Sequence, residues 1–222
     1  MDQGRKPFKL ALISTHGTGK TTLSFDVAAQ LKKRGLKVKV FSEIAARACE
    51  MGIPINEGTT LPAQLYILLQ HMCEELRGAI RGYEVVICDR SVFDNWIYLE
   101  RRCGRDDNGY IIDFIRMYAD QFPYDAIYKL PLVGDLVDDG IREVFSKDFQ
   151  EDVYSRLNNL LTDLRVQHKT LPMPTSVLRS EWCDLIVEET MASLQQRGAG
   201  AINGRRFTLE KTSGKAVPVS HV

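Results

Sequence analysis

One stretch limits what this chain can fold into more than any other: Leu10-Ala-Leu-Ile-Ser-Thr-His-Gly-Thr-Gly-Lys-Thr-Thr22, an apolar run that breaks into a glycine-bearing loop and then a helical pattern. A loop of the form G-x-x-x-x-G-K-[ST] lines a concave anion site with backbone N–H groups. Its Lys reaches the β- and γ-phosphates, and its hydroxyl ligates Mg²⁺. Gly19, Lys20 and Thr21 match that form; Ser14 stands at its first glycine position, and Gly17 lies inside the loop. The helix opening at about Thr21 points its positive end at the same place. Gly17, Thr18, Gly19, Lys20, Thr21 and Thr22 are therefore the expected contacts of a nucleoside triphosphate, with Thr21 as a metal ligand.

With 222 residues, 44% of them apolar, the chain has enough material for one substantial core, and one domain with insertions is the expectation. Twenty-nine basic residues balance twenty-nine acidic ones, so no global field draws in nucleic acid or an anionic membrane. Cys49, Cys73, Cys88, Cys103 and Cys183 are odd in number and form no C-x-x-C pair, which suits reduced thiols in a cytoplasmic protein and gives no zinc signature. The N-terminus has no apolar signal run, and no stretch reaches the roughly 18 apolar residues of a membrane span.

Phe8–Ile13 is nearly continuous in apolar residues, as in a strand buried on both faces of a parallel sheet. Residues 21–34 read as a helix closed by Lys32-Lys33-Arg34-Gly35, and Lys37–Phe41 as a second strand. That strand ends at Ser42-Glu43, at the carboxyl edge where open α/β sheets bind ligands, so Glu43 is a candidate base and Arg47 a candidate acceptor contact. Ser42-Glu43 equally suits the start of an Ile44–Met51 helix. Leu61–Ile80 reads as a long helix with a core stripe from Leu61 to Ile80; Gln64 shares a face with His71 and is a candidate for reading a substrate base.

Glu84–Cys88 is the most apolar strand, and it runs into Asp89-Arg90-Ser91. An acid at the end of a buried strand beside a phosphate loop holds Mg²⁺ directly or through water, and Arg90 would reach a phosphate or the attacking oxygen. Two helices follow, at 93–102 and Tyr110–Ala119, then a strand in Tyr124–Leu132. A charged, glycine-bearing segment at about 133–147 has the composition of a lid, with Arg142 and Lys147 as its cations; a solvated loop has the same composition. A helix from Asp148 to Leu164, a strand in Val166–Met173 and a helix over Glu181–Gln195 complete the pattern, and residues 198–222 read as a tail.

With the loop, Asp89-Arg90-Ser91 and the lid segment together, residues 8–195 resemble the phosphate-loop nucleoside and nucleotide kinases, including deoxynucleoside and thymidylate kinases. Val137-Asp-Asp-Gly-Ile-Arg142 followed by Phe149-Gln150 is similar to the NadR-type ribosylnicotinamide kinase domain, which also occurs in proteins classed as AAA-like ATPases. The resemblance implies Glu43 or Asp89 as the group that activates the acceptor hydroxyl. It also implies Arg90 as the residue orienting the acceptor and Arg142 as the cation meeting the transferring phosphate. The expected molecule is a three-layer α/β domain over residues 1–197 with a mostly parallel five-stranded sheet. It would use ATP and Mg²⁺ to phosphorylate a nucleoside-like small molecule, without a membrane or nucleic-acid partner. Rival readings are an ATP- or GTP-binding switch with slow hydrolysis and a polynucleotide 5′-kinase.

Overall fold

The computed structural model describes residues 6–42, 44–55, 58–104, 108–133, 147–175 and 179–206. Glu43 and Arg142, with the lid segment over 134–146, lie outside the described residues. In chain order the elements are β1 (Phe8–Ile13), α1 (Lys20–Lys33), β2 (Val38–Phe41), α2 (Ile44–Glu50), α3 (Leu61–Ile80), β3 (Val85–Asp89), α4 (Val92–Cys103), α5 (Gly109–Gln121), β4 (Ala126–Lys129), α6 (Lys147–Asp163), β5 (Lys169–Thr170) and α7 (Ser180–Arg206). The five strands form one sheet in the order β2-β3-β1-β4-β5, and every pairing is parallel.

Strand β1 sits at the centre and is buried along its whole length, which is why five of its six residues are apolar, Lys9 being the exception. Alternation along the strands sends Ala11, Ile13, Val86 and Cys88 to one face, where they meet Trp96, Ile97, Ile115, Phe149 and Leu157 from the later helices. Leu10, Leu12, Val85 and Ile87 face the other way, the side on which α1 lays Leu23, Val27 and Leu31. Gly78 on α3 is a close-approach glycine: a Cβ there would lie 2.9 Å from both Phe41 and Val86.

The core also encloses a charged cluster. Lys9 Nζ on β1 donates to Glu75 Oε2 on α3 at 2.7 Å and to the Phe122 carbonyl at 2.5 Å. Tyr118 and Tyr124 donate to the same carboxylate at 2.8 and 2.5 Å, and His71 Nε2 lies 3.1 Å from Glu75 Oε1. Burial by itself would raise the Glu75 carboxyl, but His71 and then Lys9 outweigh it and hold it at about 2. Ligand atoms of His71, Glu75 and Cys88 lie within 4.8 Å of one another. Because both Glu75 oxygens already accept hydrogen bonds and the Lys9 ammonium supplies the positive charge, we read the cluster as a buried ion pair.

Two elements differ from the sequence expectation. The strand expected over Val166–Met173 shrinks to Lys169–Thr170, because it is a solvent-exposed edge and Pro172, lacking an N–H, prevents further ladder bonds. The last helix does not stop near Gln195 but continues to Arg206. The apolar period that ends there reports a packed face, whereas helical backbone persists on local propensity, here Ala199 and Ala201 among the glycines. The chain divides into two units, residues 1–187 and 188–222; the first contains the whole sheet. Among the described residues no helix is long and apolar enough to cross a membrane.

Candidate active site

The phosphate loop joins the buried end of β1 to the N-terminus of α1. Gly17 and Gly19 take φ values of 71° and 85°, a left-handed conformation that a side chain would strain. Ser14 replaces the first glycine of the motif productively: its hydroxyl donates to the Leu130 carbonyl at 3.0 Å and ties the loop to the end of β4. Thr18 Oγ1 donates to the Thr15 carbonyl at 3.1 Å. The Lys20 ammonium, buried beneath the loop, donates to the same carbonyl and lies 3.4 Å from Thr18 Oγ1. Thr22, on the first turn of α1, is exposed.

Parallel pairing of β1 with β3 brings the second landmark alongside. Leu12 registers with Asp89, and Thr21 Oγ1 donates to Asp89 Oδ2 at 2.5 Å. A hydroxyl and a carboxylate at this separation are hard oxygen donors of the kind Mg²⁺ takes, so the pair fits the metal expected from the loop motif. Arg90 follows with φ of 103°, its N–H donating to the Leu12 carbonyl at 3.0 Å. Its guanidinium donates to Tyr98 Oη at 3.2 Å and lies 5.2 Å from that ring. Burial disfavours its charge, yet Tyr98, Asp94 and Asp89 outweigh this and hold Arg90 firmly protonated. Ser91 caps α4: Asp94 Oδ2 accepts its backbone N–H at 2.9 Å and its hydroxyl at 2.7 Å.

The remaining expected contacts separate. Gln64 is buried, and its amide donates to Thr59 Oγ1 at 2.8 Å. Arg47 is exposed on α2 and lines a cleft of about 530 Å³ with Ile44, Glu50, Met51, Tyr66 and Gln70, so Gln70, not Gln64, is the glutamine beside it. Arg47 also borders a second, larger cleft along β2 whose described lining gathers Lys39, Arg77 and Arg81 with the carboxylate of Glu74. Two contacts to the loop were not foreseen from its motif. Gln150 Nε2 on α6 donates to the His16 carbonyl at 2.8 Å, and Arg179 donates from Nη1 to the Thr18 carbonyl. The glutamine following the lid motif was the only signal in the sequence for either.

The family model described as an AAA domain matches residues 9–178. A thymidylate kinase of Pseudomonas syringae pv. tomato is 31% identical over 99 residues, covering 40% of this chain and 47% of that protein; the chain thus spans about half the length of this curated relative. Two solved structures share the fold. A NadR protein in complex with NR superposes with a TM-score of 0.68 at 16% identity, covering 83% of this chain and 52% of that one. A deoxyadenosine kinase from M. mycoides, with products dCMP and dCDP bound, superposes with a TM-score of 0.58 at 16% identity, covering 83% and 99%.

Proposed function

This chain belongs to the AAA domain family, and we propose that it transfers the γ-phosphoryl group of ATP to a nucleoside-like small molecule. The observation that carries the reading is the contact of Thr21 with Asp89, which sets the loop hydroxyl against a strand-end carboxylate one residue along the chain from the buried Lys20. Phosphoryl transfer needs little covalent chemistry from the protein, so positioning and charge neutralisation suffice. Lys20 supplies a point charge to the β- and γ-phosphates, and the glycine-enabled loop supplies backbone N–H donors. Thr21 and Asp89 would hold Mg²⁺, which neutralises phosphate charge when bound. In this reading Arg90, whose guanidinium donates to Tyr98, orients the acceptor, and Arg142 meets the transferring phosphate.

The clefts beside Arg47 favour an acceptor that already carries phosphate. Among the described residues Lys39, Arg47, Arg77 and Arg81 line the larger cleft with one carboxylate, Glu74, and guanidinium groups match phosphate oxygens in charge and geometry. A monophosphate oxygen is anionic at neutral pH, so Glu43 would have little proton to take. The experiment is Asp89→Asn: turnover should lose its Mg²⁺ dependence and fall by about 10²-fold or more. Wild-type turnover with an unchanged Mg²⁺ titration midpoint would reduce Asp89 to a hydrogen-bond partner of Thr21.

A further inference from the structure

Two side chains grip the phosphate loop at its carbonyls, and neither belongs to the motif: Gln150 at His16, and Arg179, one residue before α7, at Thr18. A trans peptide holds its C=O and its N–H in one plane, pointing in opposite directions. Pinning the Thr18 carbonyl therefore turns the Gly19 N–H away from Arg179, and pinning the His16 carbonyl does the same for Gly17. Gly17 and Gly19 are the loop residues with left-handed φ, where the backbone would otherwise turn most freely.

Room for the arginine is built in. A Cβ at position 19 would overlap Arg179 Nη1, so glycine there serves the neighbour as well as the φ. Arg179 itself holds φ of 51°, and its guanidinium lies 5.3 Å from the ring of buried Trp182. That indole is anchored in turn, Nε1 donating to the Pro172 carbonyl at 2.9 Å and its backbone N–H to the Arg179 carbonyl at 3.1 Å. A strained backbone held by an aromatic anchor gives a guanidinium fixed in advance. Its charge polarises the peptide it binds, which strengthens the N–H on the far side as a donor.

We propose that Arg179 is a positioning residue for phosphate binding: it orients and polarises the Thr18–Gly19 peptide so that the Gly19 N–H is presented to the nucleotide's phosphates. The inference rests on the nucleotide reading above and adds a residue the loop motif does not contain.

The test measures binding of Mg²⁺-ATP and of inorganic tripolyphosphate to the full chain by calorimetry, for the wild type, Arg179→Met and Arg179→Lys. Arg179→Met should weaken both ligands by the same factor, about 10- to 100-fold, as expected for one lost charge-assisted hydrogen bond. Both variants should keep the far-UV circular dichroism of the wild type, and Arg179→Lys should recover part of the loss for both ligands. A loss confined to ATP would place Arg179 on the nucleoside instead and overturn the proposal, as would wild-type affinity for both. If Arg179→Met does not fold, Arg179→Lys decides: an equal loss for both ligands supports the role, and wild-type affinity overturns it. Wild-type protein that binds neither ligand would overturn the nucleotide reading itself, a failure visible before any variant is made.

Discussion

Ser14 shows what a single residue adds to a motif. At the first glycine position of the loop, its hydroxyl donates to the Leu130 carbonyl and ties the start of the loop to the residue that follows β4. The loop itself was legible because its donors, Lys20 and Thr21 are neighbours in sequence. Arg179 was not, and Gln150 only as the glutamine after the lid motif, because they meet the loop from 161 and 134 residues away. Arg90 was legible as a charge but not as a backbone conformation, since φ of 103° is unusual outside glycine. At this scale the acceptor's chemistry becomes testable. For a phosphorylated acceptor, Arg47→Ala should raise the acceptor KM by about 10-fold or more, while Glu43→Gln stays within a few-fold of wild-type kcat. The reverse pattern, with Glu43→Gln losing about 10² or more in kcat, would assign the acceptor as an unphosphorylated hydroxyl.

Among the elements, the helix starts and strand ends followed local rules. Thr60 caps α3 with Pro62 in its first turn, and Ser91 and Asp94 close the start of α4. The apolar stripe of α3 was readable from its period as far as Leu76, but Ile80 at its end is 84% exposed, and the burial of Glu75 on the same helix was not readable because its partner Lys9 lies on β1, 66 residues away. The same contact accounts for Lys9 within an apolar strand, whose partner is not local. Removing one member of such a pair leaves a buried charge without compensation. Glu75→Gln should therefore cost about 3–5 kcal/mol in urea denaturation, and the double variant Lys9→Met, Glu75→Leu should cost less than Glu75→Gln alone. A loss under about 1 kcal/mol for Glu75→Gln would mean that the cluster is not what joins β1 to α3.

For the whole molecule, the same cluster sets the pH range of stability. Glu75 is held at about 2, below its ordinary 4.5, so its contribution is complete above 4.5 and is lost as pH falls toward 2. Tyr118 and Tyr124 are pushed above their ordinary 10.0 by burial and then by the Glu75 charge; their contribution is complete below 10.0 and is lost as pH rises beyond it. The urea midpoint should accordingly fall on both sides of that range, and Glu75→Gln should flatten the acid limb. An acid limb unchanged in that variant would point to other carboxylates.

The five strands and their parallel sense were legible at this scale because continuous apolar strands alternate with helical periods, whereas the order of the strands in the sheet was not. The account's central claim, acceptor-dependent phosphoryl transfer, is tested most directly by coupled ADP release. Wild type and Lys20→Ala would be assayed with Mg²⁺-ATP against nucleosides, nucleoside monophosphates and nicotinamide riboside. The predicted result is that one acceptor raises ADP release by roughly 10²-fold or more over the acceptor-free rate in the wild type, while Lys20→Ala, still folded, shows no such response. ADP release that is the same with and without every acceptor would contradict the claim and favour a slowly hydrolysing switch.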